Sequence, residues 1–342
     1  MSLTIALDAM GGDYGPVVVI PAAVAALRET PSLRLVLVGD SPAIERALSA
    51  TPDQGRFRSQ LTIHHTTQEV SMDELPSSAL RTKKDSSMRV AIDLVKRGDA
   101  HACVSSGNTG ALMATARFVL KTLPGVDRPA IISALPSADG QTHVLDLGAN
   151  IDATAEQLFQ FAVIGSVLVS EVHAISHPRV GLLNIGAEEI KGNESIKAAA
   201  RLLQQSELNY IGFVEGDDIY KGGVDVVACD GFIGNVALKS SEGVARMIGQ
   251  MIEQEFRRTW WTKAAGAIAM PVLRAVRGRI DPRSYNGASF VGLRGIVIKS
   301  HGSADAFSFA NAIREAVAEV EKNVPERISE HLGAMLSQRE AV

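Results

Sequence analysis

The chain has 342 residues, of which 46% are hydrophobic and 21% charged, and its formal net charge is −4. That length holds one large α/β domain or two of average size, and the mildly acidic balance gives no reason to expect nucleic acid as a partner. Two cysteines, Cys103 and Cys229, exclude a disulfide framework and share no C-x-x-C spacing, which fits a reducing cytoplasm.

From the N-terminus, MSLTIALDAMGGD lacks a basic start and a long apolar core, so no secretory signal is expected. No apolar run approaches the ~20 residues of a membrane span. Short apolar runs then alternate with helical patterns. They predict strands at Thr4–Ala9, Leu33–Val38, Leu61–His65, Ala102–Ser105, Ala130–Leu135, His143–Leu147, Val180–Ile185, Tyr210–Val214, Val224–Cys229 and Gly295–Ser300. Several, such as LRLVLVG and GLLNIG, are apolar on both alternating faces, as strands buried on two sides are. The expected fold is a three-layer α/β/α arrangement with a largely parallel sheet. No internal repeat, low-complexity linker or clean boundary appears, so residues 1–342 read as one continuous domain.

Each predicted strand hands over to a loop rich in Gly, Asn and Asp. In open α/β sheets these C-terminal strand ends are where ligands bind, so one cleft along that edge is expected. DAMGGDYGP (Asp8–Pro16) has the spacing Gly11-Gly12-x-x-Gly15, which is neither a dinucleotide fingerprint nor a Walker loop. SSGNTGALMATA (Ser105–Ala116) puts Asn108 and Thr109 at a helix start, as anion contacts or as caps. NIGAEEIKGNES (Asn184–Ser195) carries Lys191 among Glu188, Glu189 and Glu194, either reaching an oxyanion or paired with a glutamate. CDGFIGNVALKSSEG (Cys229–Gly243) has Asn235 opening a helix and Asp230 at the strand tip, a base, a brace or a cap. SHGSADAFSFANAI (Ser300–Ile313) sets His301, Ser303 and Asp305 between strand and helix. The histidines form no metal-binding pattern, and no G-x-S-x-G elbow is present.

Residues 246–283 differ from the rest. Eight basic and three acidic residues give this stretch +5, and both tryptophans, Trp260 and Trp261, fall in it. Apolar side chains beside Trp and Arg fit a helix lying in a lipid headgroup region; the alternative is a helical dimer arm. Pro271 is expected to break the helix in two. Arg81, Lys83, Lys84 and Arg89 form a second basic patch, a docking face for an acidic protein or a solvated surface.

In this order, DAMGGDYGP, SSGNTGA, LDLGAN, NIGAEEIKGNE, DVVACDGFIGN and KSHGSAD resemble the bacterial acyl-carrier-protein:phosphate acyltransferases of phospholipid synthesis. The resemblance runs from Ile5 to about Phe309. One departure is Ser106, where that family usually has alanine. The resemblance implies conversion of acyl-[acyl carrier protein] and inorganic phosphate to acyl phosphate and free carrier protein, with no cofactor. It implies a fold like the isocitrate/isopropylmalate dehydrogenases and phosphotransacetylases. It also implies a homodimer on the inner face of the cell membrane, supplying a membrane glycerol-3-phosphate acyltransferase, and favours some membrane contact by Trp260 and Trp261. Phosphate is already a nucleophile and a thiol leaves readily, so holding the dianion and the oxyanion is the main task. Lys191 and Asn235 are assigned that catalytic role. Asn108, Thr109, Asn193, Asp230, His301 and Ser303 are assigned to substrate binding, and Asp8, Gly11, Gly12 and Asp13 to shaping the cleft. Rival readings are an NAD-dependent decarboxylating dehydrogenase and a non-enzymatic membrane-surface scaffold.

Overall fold

The computed structural model describes residues 3–340. Its strands are β1 (Leu3–Asp8), β2 (Leu33–Gly39), β3 (Leu61–His65), β4 (Ala102–Ser105), β5 (Ala130–Ser137), β6 (Gly140–Leu145), β7 (Val180–Leu183), β8 (Tyr210–Val214), β9 (Val226–Ala228), β10 (Ala288–Val291) and β11 (Ile296–Lys299). They join into one sheet in the order β3-β2-β1-β4-β11-β10-β5-β6-β9-β7-β8. The helices are α1 (Pro16–Glu29), α2 (Ser41–Ala50), α3 (Pro76–Thr82), α4 (Ser87–Arg97), α5 (Thr109–Leu120), α6 (Ala155–His173), α7 (Glu194–Gln204), α8 (Asp218–Lys221), α9 (Gly231–Arg257), α10 (Trp260–Ile280), α11 (Ala306–Glu321) and α12 (Val324–Glu340).

Alternation along the strands sorts the core into layers. Ile5, Leu7 and Ile298 point to the face covered by α1, α2 and α11, and Leu145, Val180 and Val226 to its continuation under α6, α7 and α12. Ala6, Cys103, Val227 and Val297 point to the opposite face, under α4, α5, α8 and the start of α9. Strands such as β7 and β9 are buried along their whole length, which explains their unbroken apolar runs. α6 has the length and apolarity of a membrane span, yet 72% of that stretch is buried in the protein core. Its start is set by Thr154, whose hydroxyl accepts from the Gln157 amide in a capping box.

All ten predicted strands are present, β3, β4 and β8 with the predicted bounds and the other seven with shifted ends, and β10 is additional. It changes the geometry. β1, β2, β3, β4 and β11 run parallel to one another, as do β6, β7, β8 and β9. Between these blocks β10 is antiparallel to β11 and to β5, and β5 is antiparallel to β6. The two blocks therefore point in opposite directions, and their C-terminal loops open on opposite edges of the sheet. The loops of the two blocks thus follow strands of opposite direction, and α9 runs from the second set toward the first.

The helical segment also differs from its expectation. Pro271 lies inside an unbroken α10. The break falls earlier, where Thr259 accepts from the Thr262 amide at 3.2 Å and starts a new helix. α10 is largely exposed, so water can satisfy the carbonyl that Pro271 leaves without a donor.

Candidate active site

The first edge gathers the loops after β1, β4 and β11. Asp8 is 1% exposed, and its carboxylate accepts from Ser105 Oγ at 2.6 Å and from the amides of Met10 and Gly11 at 3.3 and 3.2 Å. Burial raises its pKa against those bonds. A Cβ on Gly11 would lie 2.6 Å from Asp8 Oδ2 and 2.8 Å from the Gly107 amide, so this close approach requires glycine. The Asp13 amide donates to the Gly302 carbonyl at 2.9 Å, which ties the first loop to the last. Ser106, the departure from the resembled family, is buried and donates to the Gly11 carbonyl at 2.8 Å. It is a strap between two loops.

Asn108 is spent structurally. Its carbonyl oxygen accepts from Ala111 N at 2.9 Å, capping α5, and its amide nitrogen donates to the carbonyls of Met72 and Glu74 at 2.7 and 3.1 Å. Thr109 is exposed at the first residue of α5. His301 Nδ1 takes the Ser303 amide at 3.2 Å and lies 2.9 Å from Ser303 Oγ. Burial and the nearby Lys239 lower the His301 pKa, which favours the neutral ring.

A residue missed by the sequence reading stands beside them. Lys299 is only 9% exposed at the end of β11, in register with Ser105. Its ammonium donates to the carbonyls of Ser106 and Ser300. Burial, then Lys239, push its pKa down to about 8, while Asp8 and Asp13 oppose the shift. A lysine closing an otherwise apolar strand was the available signal.

The second edge gathers the loops after β6, β7 and β9. Asp146, fully buried, accepts from the amides of Ile131, Ala149 and Asn150 at 2.9, 3.1 and 2.6 Å and from Asn150 Nδ2 at 2.9 Å. The Asn150 carbonyl in turn receives the Gly231 amide at 2.9 Å. This loop, also missed as a brace, fixes the start of α9. Asp230 caps α9 through Phe232 N at 2.9 Å and accepts from Ala153 N at 2.7 Å. Asn193 caps α7 through Ile196 N at 2.9 Å.

Lys191 and Asn235 contrast with these caps. Asn235 is exposed and stands against Gly148, where an added Cβ would lie 3.4 Å from its own. Lys191 is exposed, and its loop is held by backbone bonds from Lys191 N to the Glu188 carbonyl at 3.0 Å and from Asn184 Nδ2 to the Lys191 carbonyl at 3.3 Å. Glu194 pairs with Lys197 at 3.6 Å. Among the described residues neither the Lys191 ammonium nor the Asn235 carboxamide has a hydrogen-bond or ion-pair partner, so both donors face solvent unspent. Cys229 is buried and donates to the Asp146 carbonyl at 3.4 Å. Burial and the carboxylates of Asp146 and Asp230 hold its thiol far above the thiolate range, which argues against a nucleophile.

Strand polarity thus brings Lys191, Asn193, Asp230 and Asn235 to one edge and leaves Asp8, Gly11, Gly12, Asp13, Asn108, Thr109, His301 and Ser303 at the other. α9 links them. It starts at Asp230 and within three turns carries Lys239 into the electrostatic field of Lys299 and His301. At the second edge a cavity of about 480 Å³ opens where the N-caps of α6, α7 and α9, Thr154, Asn193 and Asp230, meet. Convergent helix starts and free amide and ammonium donors favour developing negative charge.

The three-layer fold and this donor-rich edge define an α/β enzyme of the phosphotransacetylase architecture. A phosphotransacetylase from Streptococcus pyogenes superposes with a TM-score of 0.62 over 94% of both chains at 17% identity. A 4-hydroxythreonine-4-phosphate dehydrogenase from Klebsiella pneumoniae gives a TM-score of 0.53 over 95% of this chain and 100% of its own, at 15% identity. Residues 3–327 match the Fatty acid synthesis protein family, and the chain belongs to it. It is 64% identical to the phosphate acyltransferase of Methylococcus capsulatus over 98% of both chains, and 60% identical to that of Nitrosococcus oceani over 100% of both. The protein is an acyltransferase, and the dehydrogenase and scaffold readings give way to that.

Proposed function

We propose that the protein moves an acyl group from acyl-[acyl carrier protein] to inorganic phosphate, releasing acyl phosphate and free carrier protein. The observation that carries this reading is the pair of unspent donors, Lys191 and Asn235, at an edge with no activated nucleophile. A phosphate oxygen attacks the thioester carbonyl carbon directly. The C–O bond forms, the carbonyl electrons collect as an oxyanion, and on collapse the C–S bond breaks. The thiol, with a pKa of about 8.5 by analogy with cysteine, leaves as thiolate. Lys191 holds the phosphate dianion as a point charge, and Asn235 donates to the oxyanion. Asn193 adds a free amide nitrogen beside them. Thr109, His301 and Ser303, at the other end of the first turns of α9, contact a remote part of the thioester substrate. Asn108 and Asp230 act as caps.

The acyl phosphate then supplies acylation of glycerol 3-phosphate by a membrane enzyme, with this protein in the cytoplasm on the inner face of the membrane as a homodimer. The arm formed by the second half of α9 and by α10 supports this. Met247, Ile248, Met251, Trp260, Trp261 and Ile268 are all exposed on it, more apolar surface than an isolated chain keeps in water. Of the basic patch, Arg89 is engaged with Asp93 at 3.1 Å and lies over Phe118, whereas Arg81 and Lys84 remain exposed for an acidic carrier protein. Mixing an acyl-carrier thioester with phosphate and trapping the product with hydroxylamine tests the reading. Carrier release and hydroxamate, both dependent on phosphate, are expected; their absence refutes it.

A further inference from the structure

We propose that the cavity between the starts of α6, α7 and α9 is the socket for the fatty acyl chain, and that its depth sets acyl-chain selectivity. The inference rests on the acyl-transfer reading above. The cavity holds about 480 Å³, within the range of about 300–1,000 Å³ that small-molecule sites occupy. Its floor is Leu158, Leu182, Leu183 and Cys229, all buried. Its rim includes Ile151 and Phe232, which are 67% and 64% exposed. Large apolar side chains held in water around a cavity with an apolar floor and polar helix caps suit an apolar partner that ends in a polar group.

Hydrogen bonding decides between an acyl chain and a phosphate inside. Both Asp230 oxygens are engaged, by Ala153 N and Phe232 N. The Thr154 hydroxyl is taken by Gln157 N and the Asn193 carbonyl oxygen by Ile196 N. A dianion entering the cavity would lose its water and face the carboxylates of Asp152 and Asp230, with donors such as the Asn193 amide nitrogen confined to the helix caps at its rim. Methylenes entering it would displace water from leucine and isoleucine surfaces. Phosphate therefore stays outside, at Lys191. Asn235, three residues beyond Phe232 on α9, meets the carbonyl at the mouth. The Fatty acid synthesis family match agrees with a fatty acyl chain as occupant.

Two variants test the socket. Ile196→Trp fills it from the half-buried wall on α7, and Phe232→Ala removes the apolar rim. kcat/KM is measured with palmitoyl- and octanoyl-carrier thioesters, and binding of a fluorescent polyene fatty acid is measured in parallel, with thermal melts to confirm folding. Ile196→Trp should lower the palmitoyl-to-octanoyl ratio by at least about tenfold, the discrimination that a methylene denied its pocket produces. Phe232→Ala should weaken palmitoyl use more than octanoyl use, and it carries the test if Ile196→Trp does not fold. Unchanged ratios in an enzyme that makes acyl phosphate would place the chain elsewhere and overturn the inference. If the wild type makes no acyl phosphate, the acyl-transfer reading fails, and the fatty-acid probe still decides: binding lost in the variants supports an apolar socket, and equal binding overturns it.

Discussion

Ser105 and Asp8 face one another across adjacent parallel strands, hydroxyl to carboxylate at 2.6 Å, with both side chains nearly excluded from solvent. The bond helps hold a carboxylate whose pKa burial has raised. A folded pKa above the unfolded value means the native state binds the proton more tightly. Asp8 therefore costs stability as pH rises above the unfolded carboxylate range of about 3.9, and costs nothing below it. Ser105→Ala removes a charge-assisted donor and raises that pKa further. It should cost about 1.5–3 kcal/mol by urea denaturation near neutral pH, with a smaller deficit as the pH approaches about 4. An equal deficit at both pH values would mean that Asp8 is not charged in the native protein.

Lys191 and Asn235 separate catalysis from folding. Neither side chain has a partner among the described residues, so Lys191→Ala and Asn235→Ala should leave stability within about 0.5 kcal/mol of wild type. Each should lower turnover of acyl-carrier thioester by roughly 10²–10³, the loss seen when an oxyanion donor is removed. Asn108→Ala should do the reverse. It loses a helix cap and two bonds to the Met72–Glu74 segment, and about 1–2 kcal/mol of stability with them. Stopped-flow assays beside thermal melts distinguish the patterns, and near-wild-type kinetics for Lys191→Ala would remove it from the site.

How far the sequence revealed this site depended on what was local. LRLVLVG and GLLNIG announced buried strands because both faces of each are apolar. Lys191 stood out because glycines bound its loop. The division of the site into two edges was not legible, because it turns on β10, a four-residue strand (ASFV) too short for a periodic signal, whose pairing with β5 joins segments more than 150 residues apart. Lys299 was passed over for a similar reason. A charged residue at a strand end reads as solvent-facing, and its place in register with Ser105 on a strand buried along its whole length is not visible in the sequence. Pro271 misled because α10 is exposed enough for water to take the carbonyl that proline leaves unpaired, so the helix runs on through it.

Glu319 offers a pH test away from the site. It is 2% exposed on α11, and one carboxylate oxygen has no hydrogen bond among the described residues. Burial, then the neighbouring Glu315, push its pKa up, and Ser289 only partly counters them. The native state then keeps a proton that the unfolded chain releases above about 4.3, so stability falls as pH rises from there. Glu319→Gln should raise the melting temperature at mildly alkaline pH and change it little near pH 4. A pH-independent shift would contradict this account.

The arm bearing Trp260 and Trp261 tests where the protein works. The two indoles stack with ring centroids 3.5 Å apart and are 65% and 67% exposed. They sit at the turn where α9 gives way to α10, amid the basic residues Arg257, Arg258 and Lys263. That pairing of amphipathic rings with cations suits the headgroup layer of an anionic membrane. Neither ring is buried in the core, so replacing both with serine should leave the fold and the turnover of water-soluble thioester within about twofold of wild type. Flotation with anionic liposomes should fall sharply, and added salt should weaken the wild-type interaction as screening of the basic residues increases. Equal flotation of wild type and the double variant would leave the arm as a dimer contact. In that case sedimentation should show the variant shifting toward a smaller species.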